Sequence, residues 1–165
     1  ERISKHVYGD SKTPIVDLVF QNLKERKETI SLVESCTGGY LANGITNING
    51  SSEVFIGGWN VYTNEFKSQE LDVSNETLKK YSAVSEETTV ELFQNAIQKT
   101  NSTYAISVVG YLVKSKEVPN PFAIICIGSK DRHILKRVDI FYPRIRSKKA
   151  IAKIAWVNLY KEFLC

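Results

Sequence analysis

Ser35 and Cys36 stand side by side in SLVESCTGG, where the apolar pair Leu32-Val33 gives way to Thr37 and the glycines Gly38 and Gly39. Either side chain could be a nucleophile, because a hydroxyl or thiol attacks a carbonyl once a base takes its proton. The glycines allow a tight turn. Free N–H groups at the start of a following helix can hold an anion, or the oxyanion formed in acyl transfer. The pattern is not GxxxxGK[ST], GxGxxG or GxSxG, so it is neither a phosphate loop, a dinucleotide turn nor a hydrolase elbow. Taken alone, a serine before two glycines is more often a helix cap, and an inward-facing cysteine is more often packing.

A nucleophilic serine needs a base. The chain has two histidines, His6 near one end and His133 in a strand-like stretch, and neither sits in a context that suggests a triad. A lysine serves if burial lowers its pKa from about 10.4 towards neutrality. The turn itself does not say which of the 22 basic residues that would be.

The elements that must carry these groups follow from periodicity. Thr13-Pro14 opens a helix with Ile15, Leu18, Val19 and Leu23 on one stripe to about Lys27. Residues 29–34 read as a buried strand, 38 to about 48 as a helix, and 53–62 as a strand whose glycine pair suggests a close backbone approach. Short helices are expected from Asn64 to Leu71 and from Ser74 to Tyr81. Ser85 caps a clearer helix striped by Val90, Phe93 and Ile97. Residues 103–110 and 122–128 are strands, 133–141 completes a hairpin, and a last helix runs from about Ser147 to Phe163. Helices alternating with strands, then two successive strands, favour a mixed sheet covered on both faces.

The length of 165 residues suits one domain, 1–165, and the opening at Glu1 is compatible with a cut from a longer chain. The net charge of +4 suits an anionic small molecule. No basic run is interleaved with aromatics, which argues against nucleic acid, and no apolar run is long enough to span a membrane. Cys36, Cys126 and Cys165 form no CxxC pair, so reduced thiols in a cytoplasmic protein are expected. No His/Asp/Glu cluster has metal-ligand spacing, so no metal or other cofactor is expected. Asn49, Asn75 and Asn101 open Asn-x-Ser/Thr triplets that carry no meaning without a secretory signal.

ESCTGG (34–39), NGSS (49–52), GGWNVYTNEFK (57–67) and AVSEE (83–87) together resemble the CinA C-terminal domain family. The resemblance runs in order from about Val7 to Gly110 and more loosely to the end. The family includes nicotinamide-nucleotide amidases, which convert nicotinamide mononucleotide to nicotinate mononucleotide and ammonia. The resemblance implies a three-layer α/β/α sandwich with a mixed, mostly parallel sheet. It places the catalytic serine at Ser35 and a proton-moving pair at Tyr62 and Lys67, with either of the two as the base. The oxyanion would meet backbone N–H groups near Cys36, Thr37, Gly38 and Gly39. Ser51, Ser52, Asn64 and Gly110 are further candidates for substrate binding. The cations Arg144, Arg146, Lys148 and Lys149 crowd the start of the last helix, where the dipole disfavours them. They suit a solvated turn or a phosphate site. A homo-oligomer is expected from exposed strand edges and the apolar last helix.

The chain departs from the family after its fourth strand motif. Where members read VTGIAGP and a glycine-rich loop, this chain has VVGYLVKSKEVPNPF, residues 108–122. Val109 and Val113 replace a threonine and a glycine, and β-branched residues resist a glycine's geometry. This change keeps rival readings open. One is an amidohydrolase retuned at its pocket. Another is a catalytically silent relative that binds a nucleotide-like anion or a protein. A third is a sensor of pyridine nucleotides.

Overall fold

The computed structural model describes residues 13–165; His6 and Val7 lie outside them. A five-stranded sheet in the order β2-β1-β3-β4-β5 forms the middle layer. Its strands are β1 (Ile30–Glu34), β2 (Phe55–Asn60), β3 (Tyr104–Tyr111), β4 (Phe122–Ser129) and β5 (His133–Asp139). β1 pairs in parallel with β2 and β3, while β3–β4 and β4–β5 are antiparallel. β1, β2, β3 and β5 thus run one way and β4 the other, which is the expected mixed sheet.

The buried strands alternate two sets of apolar side chains, as a period of two requires. Ile30, Leu32, Ile106, Val108, Ile125 and Ile127 face α1 (Ile15–Arg26), α2 (Tyr40–Thr46) and α6 (Arg144–Leu159). Val33, Val109 and Ile124 face α3 (Asn64–Leu71) and α5 (Glu86–Thr100), with Ala105 and Cys126 beside Phe93 and Ile97 of α5. These are the three layers. A short helix, α4 (Asn75–Tyr81), bridges α3 and α5.

Local chemistry sets the boundaries. Thr63, Ser74 and Ser85 each accept a hydrogen bond from a backbone N–H three residues on, starting α3, α4 and α5. Thr63 is therefore the cap of α3. Pro14 occupies the cap position of α1 and makes no side-chain cap bond. α6 begins at Arg144, three residues earlier than its periodicity suggests, because Pro143 presets the backbone there. The glycine pair of β2 does mark a close approach: a Cβ on Gly58 would collide with the Leu32 carbonyl.

The connection leaving β1 goes to β2 on one side, and the one leaving β3 goes to β4 on the other. The carboxyl ends of β1 and β3 therefore flank a crevice of the kind in which α/β sheets bind ligands. Ser35 follows β1 directly, and its N–H donates to the Val108 carbonyl of β3 across 3.1 Å.

Candidate functional site

Ser35 lies in the turn between β1 and α2. The turn is shaped by Gly38 and Gly39, with φ of +62° and +95°. At such angles any other residue is strained. The preceding Glu34 is nearly fully buried, and its carboxylate fills the N-terminus of α2. One oxygen accepts from the N–H groups of Gly39 and Leu41, both at 3.0 Å, and the other from Ala42 at 2.8 Å. The helix start is thus already occupied by the chain's own anion. Residues 36–37 form a turn that brings the Gly38 N–H back towards the Ser35 carbonyl, while the N–H groups of Cys36 and Thr37 have no backbone acceptor among the described residues.

Lys67 is 2 % exposed. Residue four of α3, it turns back under the start of its helix, where Nζ donates to the carbonyls of Val61 at 2.9 Å and Thr63 at 3.5 Å. Burial holds this amine below the ordinary lysine value, against the weaker opposing influence of Cys36 and Glu65. Lys67 is the one lysine among the described residues with a buried side chain.

Tyr62 follows β2 and is 59 % exposed. Its phenolic oxygen accepts from Arg144 Nη2 at 2.6 Å. The partner of Tyr62 is therefore the arginine of α6 and not Lys67, whose hydrogen bonds go to the backbone. Sequence reasoning named Arg144 only within a run of four cations. What singles it out is contact across the fold, which has no local signature.

Cys36 packs into the core, and burial pushes its thiol up to about 12. Burial thus favours the thiol form of Cys36 over the reactive thiolate. Thr37 is fully buried, and its hydroxyl has no partner among the described residues. Lys148 reaches the turn from α6, and a Cβ on Gly38 would stand 2.8 Å from its Nζ. Gly38 thus makes room for an ammonium beside the turn.

A pocket of about 290 Å³ brings Ser35, Cys36, Tyr62, Lys67, Gly110 and Arg144 together. No hydrogen bond joins Ser35 to Tyr62 or Lys67 among the described residues.

The profile of the CinA C-terminal domain matches residues 12–162. The chain belongs to the CinA C-terminal domain family. It is 34 % identical over 163 residues to a CinA-like protein of Thermotoga sp. (strain RQ2), covering 98 % of this chain and 40 % of that one. It is 36 % identical over 144 residues to a CinA-like protein of Prochlorococcus marinus (strain MIT 9515), covering 86 % of this chain and 33 % of the other. The chain thus spans two fifths or less of the length of these relatives. Among solved structures it resembles the competence damage-inducible protein A of Klebsiella pneumoniae with a TM-score of 0.85. The two are 24 % identical, and the match covers 90 % of this chain and 94 % of that one. The competence/damage inducible protein CihA of Agrobacterium tumefaciens gives a TM-score of 0.82 at 26 % identity, over 88 % and 91 %.

The candidate residues named from the sequence do not all line the pocket. Ser51 and Ser52 form a short turn before β2, at the amino end of the sheet and opposite Ser35, where Ser51 closes that turn. Asn64 is exposed at the first position of α3 and does not line the pocket. Gly39 has its N–H committed to Glu34. Gly110 lines the pocket but has no positive φ. Its smallness serves the sheet, since a Cβ there would stand 2.8 Å from the Phe122 carbonyl of β4. The altered segment does not fill the pocket. Val109 turns into the core on the α5 side, Leu112 is buried on the other, and Tyr111 and Val113 form one exposed wall. No helix among the described residues is long and apolar enough to cross a membrane.

Proposed function

We propose that this domain is a serine amidohydrolase of the nicotinamide-nucleotide amidase type, acting on a carboxamide of a pyridine nucleotide. The observation that carries the proposal is Lys67, a buried amine with its two hydrogen bonds on backbone carbonyls, in the same pocket as the Ser35 hydroxyl. Such an amine takes a proton far more readily from a nearby hydroxyl than a solvated ammonium could.

The chemistry follows from the parts. Ser35 Oγ attacks the amide carbon and its proton passes to Lys67. The resulting oxyanion is met by backbone N–H groups of the Cys36–Thr37 turn. The C–N bond then breaks as Lys67 returns the proton to nitrogen, and ammonia leaves. Water hydrolyses the Ser35 ester by the same proton path in reverse, giving the carboxylate. Tyr62, fixed by Arg144, stands at the pocket mouth, where the arginine's remaining donors suit a phosphate.

The experiment is ammonia release from nicotinamide mononucleotide by wild type and Ser35→Ala. Turnover that disappears in the variant supports the amidase. Equal release by both proteins excludes it. No release by either supports the second reading, a relative that binds a nucleotide-like anion without turnover. The replaced loop favours that reading, because Tyr111 and Val113 now wall the pocket.

A further inference from the structure

A second cleft, of about 660 Å³, opens directly beyond the candidate site. It shares Leu112, Val113 and Arg144 with the inner pocket, so the two lie side by side. Its walls are the divergent 112–121 segment on one side and the end of β5 with the approach to α6 on the other. The inner pocket, at about 290 Å³, lies at the small end of ligand sites, whose usual range is about 300–1,000 Å³.

The outer cleft has the chemistry of a nucleotide site. Lys114, Arg137 and Arg144 line it, against one carboxylate, Asp139. Arg137 Cζ sits 3.6 Å from the centre of the Phe122 ring, and its Nε is 3.5 Å from Asp139 Oδ1. This fixes the guanidinium while leaving it half exposed. Arg144 stands at the junction and spends one of its donors on Tyr62. Phe141, 82 % exposed, and Tyr142, exposed as well, line the same cleft. Solvent-facing aromatics beside cations are a stacking platform for a base.

We infer that this outer cleft binds the second nucleotide of a pyridine dinucleotide, so that the substrate class extends from mononucleotide carboxamides to dinucleotide ones. The phosphates would lie along Arg144 and Arg137, with the distal base against Phe141. The inference rests on the amidohydrolase reading for the fate of the carboxamide, and on the cleft's own residues for binding.

Two measurements test it. Calorimetric titration with adenosine diphosphate, which has no carboxamide, reads the cleft without turnover. Wild type binds it, and Arg137→Ala combined with Phe141→Ala weakens binding at least tenfold. Lys114→Ala, which disturbs no packing, weakens it in the same direction. Ammonia release then gives the ratio of kcat/KM for nicotinamide adenine dinucleotide to that for nicotinamide mononucleotide, and the double variant lowers this ratio about tenfold. Failure of wild type to bind adenosine diphosphate, or equal binding by the double variant, overturns the inference even if the mononucleotide is hydrolysed. Cleft-dependent binding with no ammonia from either amide upholds the cleft and overturns the amidase reading alone.

Discussion

Arg144 and Tyr62 meet across 2.6 Å at the mouth of the pocket, from elements 82 residues apart in the chain. If this contact orients the phenol for the reaction, the two residues act as one unit. Arg144→Ala and Tyr62→Phe should each lower kcat/KM about tenfold to a hundredfold, within the range of a proton-transfer or positioning group. The double variant should be little worse than either single one. Strictly additive losses would mean that the two side chains serve the pocket separately.

The buried amine of Lys67 makes stability depend on pH in a stated direction. Burial lowers its pKa in the folded chain from the ordinary 10.5. Between the lowered value and 10.5 the unfolded chain binds a proton that the folded chain does not. Wild-type stability, measured relative to Lys67→Met, therefore rises with pH through that window. Below the window the folded chain carries a buried ammonium and the full penalty. Urea unfolding of both proteins from pH 7 to 10 reads the difference, and a flat difference would place Lys67 in a solvated environment. The same variant should have no amidase turnover.

The cysteines separate by burial. Cys36 and Cys126 are buried with thiols pushed up to about 12, while Cys165 is exposed. The thiolate is the reactive form. Iodoacetamide at pH 7.5 should label Cys165 alone in the folded protein, and all three in urea. Fast labelling of Cys36 under native conditions would return it to candidacy as the nucleophile.

How much of this was legible in the sequence depends on the range of each interaction. The strand–turn–helix around Ser35 and the cap at Ser85 are written in neighbouring residues, and periodicity finds them. Lys67 looks like any other lysine of an exposed helix. Only its position under the amino end of α3, set by tertiary packing, buries it, so the sequence could offer it through resemblance alone. The glycine pair at 38–39 points to anion-holding N–H groups, but the anion at the helix start is Glu34, the last residue of β1, whose reach into α2 no local pattern signals. Ser51 and Ser52 followed a glycine and so suited a binding turn. Sheet register, which short-range patterns do not give, puts them at the far end. Arg144 was hidden among four cations because the contact that distinguishes it comes from β2's end.

Glu34 should be worth a measurable share of the fold. Its carboxylate satisfies three N–H groups of α2 while itself nearly fully buried. Glu34→Ala leaves those donors without their acceptor, at about 1–3 kcal/mol for each one that water cannot reach. Glu34→Gln keeps acceptor geometry for part of the set and should cost less. Thermal unfolding of the pair tests the order, and equal melting temperatures for Ala and wild type would mean that water replaces the carboxylate without loss.

Thr37 separates folding from function in the same turn. Its hydroxyl is fully buried with no partner among the described residues, and a lone buried hydroxyl costs about 1–3 kcal/mol. Thr37→Val keeps the shape and removes the unpaired group, so it should stabilise the chain by about 1 kcal/mol. A protein gains nothing from such a group unless something uses it. If the hydroxyl bonds the substrate or the oxyanion once the pocket closes, Thr37→Val melts higher than wild type yet turns over more slowly. A variant that melts higher and turns over at the wild-type rate would show that the hydroxyl serves neither purpose. One that melts lower would show that the hydroxyl is satisfied in solution, by water or by a shift of the turn.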